Sequence, residues 1–136
     1  MGYHMEQRDS QFRIERKNFG KALLAIKALS GHETITDGSG PHFSWVRTEE
    51  YLGAETLGAA IHAFRWAAEV DGPEGDIIDI RFRGEKLGDD EQFLRVLAPF
   101  VVKGSFIEMQ GEEGAIWRWT FDGYTVIEKS GRFVFE

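Results

Sequence analysis

The chain has 136 residues, of which 42% are hydrophobic and 29% charged, and its formal net charge is −7. This length and composition are typical of a single globular domain with a real core, and they argue against an intrinsically disordered chain. Because the chain has no cysteine, disulfides, thiolate catalysis and cysteine-ligated metal centres are excluded. The acidic balance argues against nucleic acid as a partner and suits a basic protein partner.

No apolar run reaches the roughly 18–20 residues that a membrane-spanning helix needs, and no basic-then-apolar leader opens the chain. We therefore expect a cytoplasmic protein without a membrane partner. Residues 1–4, followed by Met5, match what a common cloning site adds. We predict a vector remnant at 1–4 and a single domain over 5–136.

The N-terminal part of the chain predicts one strand and one helix. Phe12 and Ile14 alternate with polar residues in QFRIER, which is the period of a strand. Helical spacing follows in FGKALLAIKALS, with Asn18 as the N-cap and Gly31 as the C-terminal stop.

The middle of the chain begins with a predicted irregular loop over 31–42, which is rich in glycine. A short extended segment, FSWV, follows, and Thr48 begins a helical turn. Thr56 then caps a predicted helix over LGAAIHAFRWAAEV, whose apolar stripe runs to Ala68. The helix ends in the turn DGPEG.

A strand and a third helix follow this turn. Ile78, Ile80 and Phe82 alternate in DIIDIRFR and are predicted to share one face of a strand. The next segment, GEKLGDD, leads to a predicted helix over DEQFLRVLAPF, with Asp89 or Asp90 as its cap.

The last third of the chain predicts four strands, SFIEMQ, AIWRWTF, YTVIE and RFVFE, with turns at GEEG, DG and KSG. Strands and helices are mixed early in the chain, and strands alone follow. We therefore predict an α+β fold, with a mostly antiparallel sheet that ends in a C-terminal β-meander and about three helices packed on one face.

The tryptophans of the meander are predicted to lie on its core face. A three-residue loop within GEEG sets Met109 opposite Trp117 and Glu108 opposite Arg118. Because side chains alternate along a strand, Trp117 and Trp119 then share one face and Arg118 lies on the other. The alternative is an exposed aromatic platform for a base or a peptide.

The other turns of the meander set the register of its last strands. The dipeptide DG favours a two-residue turn, which sets Phe121 opposite Tyr124 and places Tyr124 on the core face. The tripeptide KSG allows a two-residue or a three-residue turn before RFVFE. These alternatives send Phe133 and Phe135 to opposite faces of the sheet, and both stay open.

No motif in the chain predicts catalysis. His62 has no second histidine or carboxylate three or four residues away, so it fails as a helical zinc site. The serines lack a nucleophile-elbow context, and no phosphate-binding glycine loop is present. We predict no catalytic residue, no metal and no cofactor.

Six residues are candidates for contact with a partner or a ligand. His32, Asp37 and His42 lie in or beside the glycine-rich loop, although their spacing matches no metal-binding pattern. Glu85 could meet them in a cleft beneath the loop. The expected contact surfaces are the 32–45 loop and the face of Arg118, and the candidates are His32, Asp37, His42, Trp45, Glu85 and Arg118.

Residues 82–123 resemble small bacterial proteins, many of them phage-associated. The likeness rests on the segments GEKLGDD, LAPFV, GSFIEMQGEEG and WRWTFDG. The resemblance implies a bacterial or phage cytosolic setting, and it transfers no activity and no catalytic residue.

These observations favour a non-enzymatic binding protein, of an inhibitor or immunity type, whose partner is basic. Two alternatives stay open. One is a small-molecule or metal-binding protein, or an enzyme, that uses the 32–45 loop. The other is a homo-oligomeric structural domain that hides an aromatic sheet face in a dimer.

Overall fold

The structure, a computed structural model, describes residues 2–32, 34–35 and 41–131, and side chains in 2–30 and 43–131. Its helices are α1 (Phe19–Lys27), α2 (Thr48–Leu52), α3 (Leu57–Ala63) and α4 (Asp90–Leu97). Short 3₁₀ helices cover Arg16–Asn18, Ala28–His32 and Ala98–Phe100. The strands are β1 (Tyr3–Gln11), β2 (Thr34–Ile35), β3 (Pro41–His42), β4 (Trp66–Val70), β5 (Ile77–Phe82), β6 (Lys86–Leu87), β7 (Phe106–Gly111), β8 (Ile116–Phe121) and β9 (Val126–Gly131).

The main sheet has the strand order β6-β1-β7-β8-β9, and all its neighbouring strands are antiparallel. Two ribbons, β2-β3 and β4-β5, accompany it. Ile14 bridges Ile77 and Val101, which joins the β4-β5 ribbon to the rest of the fold. The predicted α+β fold with a C-terminal meander is confirmed, with four helices in place of about three. Within the described ranges, no helix is long and apolar enough to cross a membrane.

Both tryptophans of the meander lie in the core, as predicted. Trp117 is 9% exposed and Trp119 is 1% exposed. The ring of Trp119 meets that of Trp66 edge to face, with centroids 6.4 Å apart. Its indole N–H donates a hydrogen bond to Glu128 at 3.2 Å. Because both rings belong to the same buried cluster as residues of α1, α3, α4 and β5, the exposed platform is excluded.

The predicted register of β7 and β8 is confirmed. Met109 pairs with Trp117 and Glu108 pairs with Arg118. Arg118 lies on the outer face of the sheet, where its Nη2 is 2.7 Å from Glu108 Oε1. Its guanidinium also lies over the ring of Phe106, with 4.3 Å between the carbon and the ring centroid. The turn composition of GEEG was therefore enough to place this pair of strands.

The predicted two-residue turn at 122–123 is wrong. Phe121 pairs with Val126, so the loop spans 122–125. The side-chain Oδ1 of Asp122 accepts hydrogen bonds from two backbone N–H groups of the loop, at 2.9 and 2.8 Å, which favours this wider turn. The register shifts by two residues, which keeps the tryptophans on the core face. Tyr124, predicted to be in the core, is 84% exposed.

The predicted turn at KSG is also wrong, because β9 runs straight through it. Ser130 pairs with Trp117, and Gly131 pairs with Ile116. The predicted positions of Phe133 and Phe135 lie outside the described residues.

The first strand lies closer to the N-terminus than predicted. Within β1, Tyr3 pairs with Leu87 and His4 pairs with Lys86. The ring centroids of Tyr3 and Trp117 are 6.3 Å apart, so residue 3 also contacts the core. Whatever their origin, residues 3 and 4 are part of the sheet.

The helix that Thr56 caps is shorter than predicted. The cap itself is confirmed, since Thr56 Oγ1 accepts a hydrogen bond from the N–H of Ala59 at 3.1 Å. The helix ends at Ala63, however, and Ala68 lies in β4 opposite Ile80. A register shift between β4 and β5 then buries Ile77 fully, whereas Ile78 is only partly buried.

We predict that Asp122→Asn weakens the dependence of stability on pH at the acid end. Hydrogen bonds from the backbone N–H groups of Thr125 and Tyr124 lower the pKa of Asp122 below its ordinary value of 3.8. Its carboxylate therefore stabilises the fold above the unfolded pKa, and this contribution is lost as the pH falls through the lower, folded pKa.

The measurement is urea denaturation of the wild type and the variant from about pH 6 to about pH 2.5. Asp71→Asn is the matched control, because the Asp71 carboxylate is exposed and bonds to no residue in the described ranges. Acid limbs that are equally steep in the wild type and Asp122→Asn would contradict the prediction.

Candidate functional site

Two of the six sequence candidates, Trp45 and Glu85, line one cleft with a volume of about 300 Å³. Arg65, Gly84 and Lys86 complete its lining. The cleft therefore brings together the turn after β3, the end of α3 and the connection between β5 and β6. Sequence reasoning identified two of its residues and missed Arg65.

The guanidinium group of Arg65 lies against two aromatic rings. Its guanidinium carbon lies 5.2 Å from the ring centroid of Trp45 and 5.2 Å from that of Phe82. Its Nη1 donates to the carbonyl of Lys86 at 2.7 Å, and its Nη2 donates to Asp90 at 2.8 Å. These contacts fix both the position and the plane of the guanidinium group.

Asp90 is the buried counter-ion of Arg65 and is 3% exposed. Its Oδ1 accepts a hydrogen bond from the indole N–H of Trp66 at 3.0 Å, and its Oδ2 accepts one from the N–H of Gly88 at 2.9 Å. Burial raises the pKa of Asp90 above its ordinary value, although the charge of Arg65 and these hydrogen bonds lower it. Both carboxylate oxygens of Asp90 therefore accept hydrogen bonds, and the ion pair is largely shielded from solvent.

The predicted side-chain cap of α4 is wrong. Asp89 stands at the N-cap position, but its side chain makes no capping hydrogen bond. Its Oδ2 instead accepts a hydrogen bond from the N–H of Ser44 at 2.7 Å, which fastens the turn that carries Trp45 to the start of α4. Both aspartates therefore hold the cleft together.

The backbone is strained at the two stacked residues. Trp45 has a φ of 59° and Arg65 a φ of 74°, and no other non-glycine residue in the described part of the chain has a positive φ. This region costs an ordinary residue about 1 kcal/mol or more, and it persists where the surroundings hold it. Arg65 follows the C-cap residue of α3, Phe64, and its N–H donates a hydrogen bond to the carbonyl of His62 at 2.9 Å. A residue with positive φ at this position of a helix end is usually glycine.

The absence of a side chain at two glycines, Gly84 and Gly88, makes room for the guanidinium of Arg65. A Cβ on Gly84 would lie 2.8 Å from Arg65 Nη1, and a Cβ on Gly88 would lie 2.8 Å from Arg65 Nη2. Since both distances are shorter than real Cβ contacts, the guanidinium is seated against bare backbone at both positions.

Trp45 itself is 54% exposed. One side of its indole lies on Arg65, and the rest is open to solvent at the mouth of the cleft, beside the exposed Glu85. A tryptophan that is both accessible and held in place is the kind of residue that anchors protein interfaces. The charged residues of the cleft lining are Arg65, Glu85 and Lys86.

The candidates of the glycine-rich loop fall outside the side chains that the structure describes. Asp37 lies in 36–40, and for His32 and His42 only the backbone is described, with His42 paired to Thr34. Their prediction as a site is therefore untested. Among the residues that are described, no group of three or more His, Asp or Glu could hold a metal ion.

Arg118 lies apart from the cleft, on the outer face of β8. Glu108 stands between it and Arg8, whose Nη1 is 3.3 Å from Glu108 Oε2. The charge of Arg118 is already paired with Glu108 on the sheet, so the structure gives little support to Arg118 as a contact for a partner.

No known protein family matches the chain, no curated protein is similar to it, and no solved structure is similar to its fold. The cleft is therefore interpreted from its own geometry. The resemblance of residues 82–123 to small bacterial proteins stays a prediction.

We predict that the free energy of unfolding of Arg65→Met keeps falling with rising pH up to a higher pH than that of the wild type. A carboxyl whose folded pKa lies above the unfolded value of 3.8 stabilises the fold most below that value, and this contribution is lost as the pH rises through the folded pKa. Removing the positive charge of Arg65 raises the pKa of Asp90 further. At neutral pH the variant should lose about 3 kcal/mol, because a buried carboxylate is left without its partner.

The measurement is the free energy of unfolding in urea from about pH 4 to about pH 8. The double variant Arg65→Met, Asp90→Asn is the control, because it lacks the titrating carboxyl and should lose the added slope. Parallel curves for the wild type and Arg65→Met would show that the two side chains are not coupled.

Proposed function

We propose that the protein is a non-enzymatic binding protein, of an inhibitor or immunity type, that acts in the cytosol on a basic protein partner. The observation that carries this proposal is the state of Trp45, which is 54% exposed although its backbone and its ring are both held in place. A side chain that is already ordered loses little conformational entropy on binding. Tryptophan is also among the residues most enriched at the energetic centres of interfaces.

The charges around Trp45 support a basic partner. Glu85 and Lys86 both line the cleft beside it, and Asp89 is bonded to the neighbouring Ser44. Glu49 and Glu50 lie in α2 and pair with Arg47, which precedes that helix, so the pairs offset the charge of Arg47. A lysine or arginine of the partner would lie against the open part of the indole with Glu85 as its counter-charge.

A second candidate function is the binding of a small molecule in the same cleft. Its volume of about 300 Å³ is at the lower end of the range for ligand pockets. Arg65 Nε is buried and has no hydrogen-bond partner among the described residues, so the site holds an unused donor. The third prediction, a dimer that hides an aromatic sheet face, loses its main support because Trp117 and Trp119 are buried within one chain.

We predict that a tetra-arginine peptide shifts the indole N–H resonance of Trp45 and the backbone amide resonances of Gly84 and Lys86 in an NMR titration, whereas a tetraglutamate peptide does not. The two amide resonances report binding in every variant, including Trp45→Ala. Glu85→Gln should weaken this binding by roughly threefold, since it removes one exposed charge pair. Trp45→Ala should weaken it further, because the indole supplies the contact surface. Far-ultraviolet circular dichroism checks that each variant is folded.

Two matched variants control this experiment. Glu113→Gln makes the same change of charge in the loop between β7 and β8, and Tyr124→Ala removes an exposed ring outside the cleft. Both should bind tetra-arginine as the wild type does. Equal binding by Trp45→Ala and Tyr124→Ala would overturn the proposal, as would a shift by tetraglutamate alone.

A further inference from the structure

We propose that α1 forms a second docking surface, which takes an acidic, amphipathic helical segment of a partner protein. This surface shares no lining residue with the Trp45 cleft. The residues of α1, FGKALLAIK, are apolar on nearly every side, although only Ala22 and Ile26 are buried. Leu24 is 70% exposed. A helix that is apolar all round is normally enclosed by other elements, so the described residues leave α1 without part of its cover.

An apolar groove runs along α1 where it packs against α4. Its volume is about 570 Å³, and its lining comes from α1, α4 and the 3₁₀ helices that follow each of them. Among the described residues, nothing fills it. Apolar grooves between two helices accept an amphipathic helix with its apolar face inward. The groove is lined by Ala25, Leu29, Gln92, Arg95, Val96, Pro99 and Phe100.

One residue of the groove lining, Gln92, also carries an unsatisfied polar atom. The side-chain Oε1 of Gln92 is buried and has no hydrogen-bond partner in the described part of the chain. A buried acceptor without a partner costs about 1–3 kcal/mol. A donor on an occupant, reached by a small rotation of the Gln92 amide, would satisfy it.

The charge beside the groove identifies the occupant as acidic. Helix α1 itself carries two lysines, Lys21 and Lys27, and no carboxylate, in a chain whose net charge is −7. Lys21 lies one helical turn before Ala25 and therefore beside the groove. Arg95 lines the other side and pairs with Glu91 at 3.4 Å through exposed side chains, a weak contact that a partner carboxylate can compete with.

Two other occupants fit the observations less well. A second copy that used the same face would bring two lysine-bearing helices together, which is unfavourable. A small ligand would fill the groove but leave Leu24 exposed. An extended acidic helix accounts for the groove, the exposed leucine and the basic rim together.

The test uses a fluorescent helical peptide with leucines on one face and glutamates on the other, and its binding is followed by anisotropy. Lys21→Glu should weaken binding roughly three- to tenfold, because it replaces one attractive charge pair by a repulsive one. Glu91→Gln should strengthen binding, because it frees Arg95. Ala25→Trp should abolish it by filling the groove.

The matched control is Lys129→Glu, which makes the same change of charge on β9, outside the groove. It should bind the peptide as the wild type does, and a peptide with serine in place of leucine should not bind. Equal weakening by Lys21→Glu and Lys129→Glu would overturn the proposal, as would unchanged binding by Ala25→Trp. Lys21-dependent binding to phosphatidylserine vesicles without binding to the peptide, or Leu24-dependent dimers in light scattering, would also overturn it.

Discussion

The buried ion pair between Arg65 and Asp90 is the constraint on which the cleft depends. It joins the end of α3 to the start of α4, and through Lys86 and Gly88 it also holds the segment around β6. Taking two charges out of water is expensive, and this pair offsets the cost only while its hydrogen bonds to Trp66, Gly88 and Lys86 are kept, although Arg65 Nε has no partner among the described residues. The guanidinium of Arg65 must reach Asp90 from the end of a helix. The positive φ of Arg65 and the lack of side chains at Gly84 and Gly88 allow this.

The sequence predicts the fold class and the β7–β8 register because both depend on local information. Alternation defines the strands, and the short loop in GEEG sets Met109 opposite Trp117. The end of α3 was missed because its stop is an arginine with positive φ, held by distant side chains, where the expected signal is glycine. The loop at 122–125 was missed because a carboxylate hydrogen bond outweighs the usual preference of the dipeptide DG for a tight turn.

The residues of the candidate site also fall into those that the sequence could predict and those that it could not. Trp45 and Glu85 could be chosen from the sequence because they are a tryptophan and a carboxylate in loop-like segments, where binding residues concentrate. Arg65 and Asp90 could not, because each looks ordinary in its own segment: one resembles an exposed helical arginine and the other a helix cap. Their pairing spans 25 positions, and only the folded chain reveals it. The glycines at 84 and 88, which flank Lys86, were the available signal of a close approach.

The uneven burial of the four tryptophans gives the protein a built-in optical reporter. Trp66, Trp117 and Trp119 are at most 9% exposed, whereas Trp45 is 54% exposed. Iodide in solution will therefore quench the emission of Trp45 selectively, and that emission will lie to the red of the other three. Any molecule that binds against the indole shields it from iodide and shifts its emission maximum. Occupancy of the cleft can therefore be followed in the unlabelled protein.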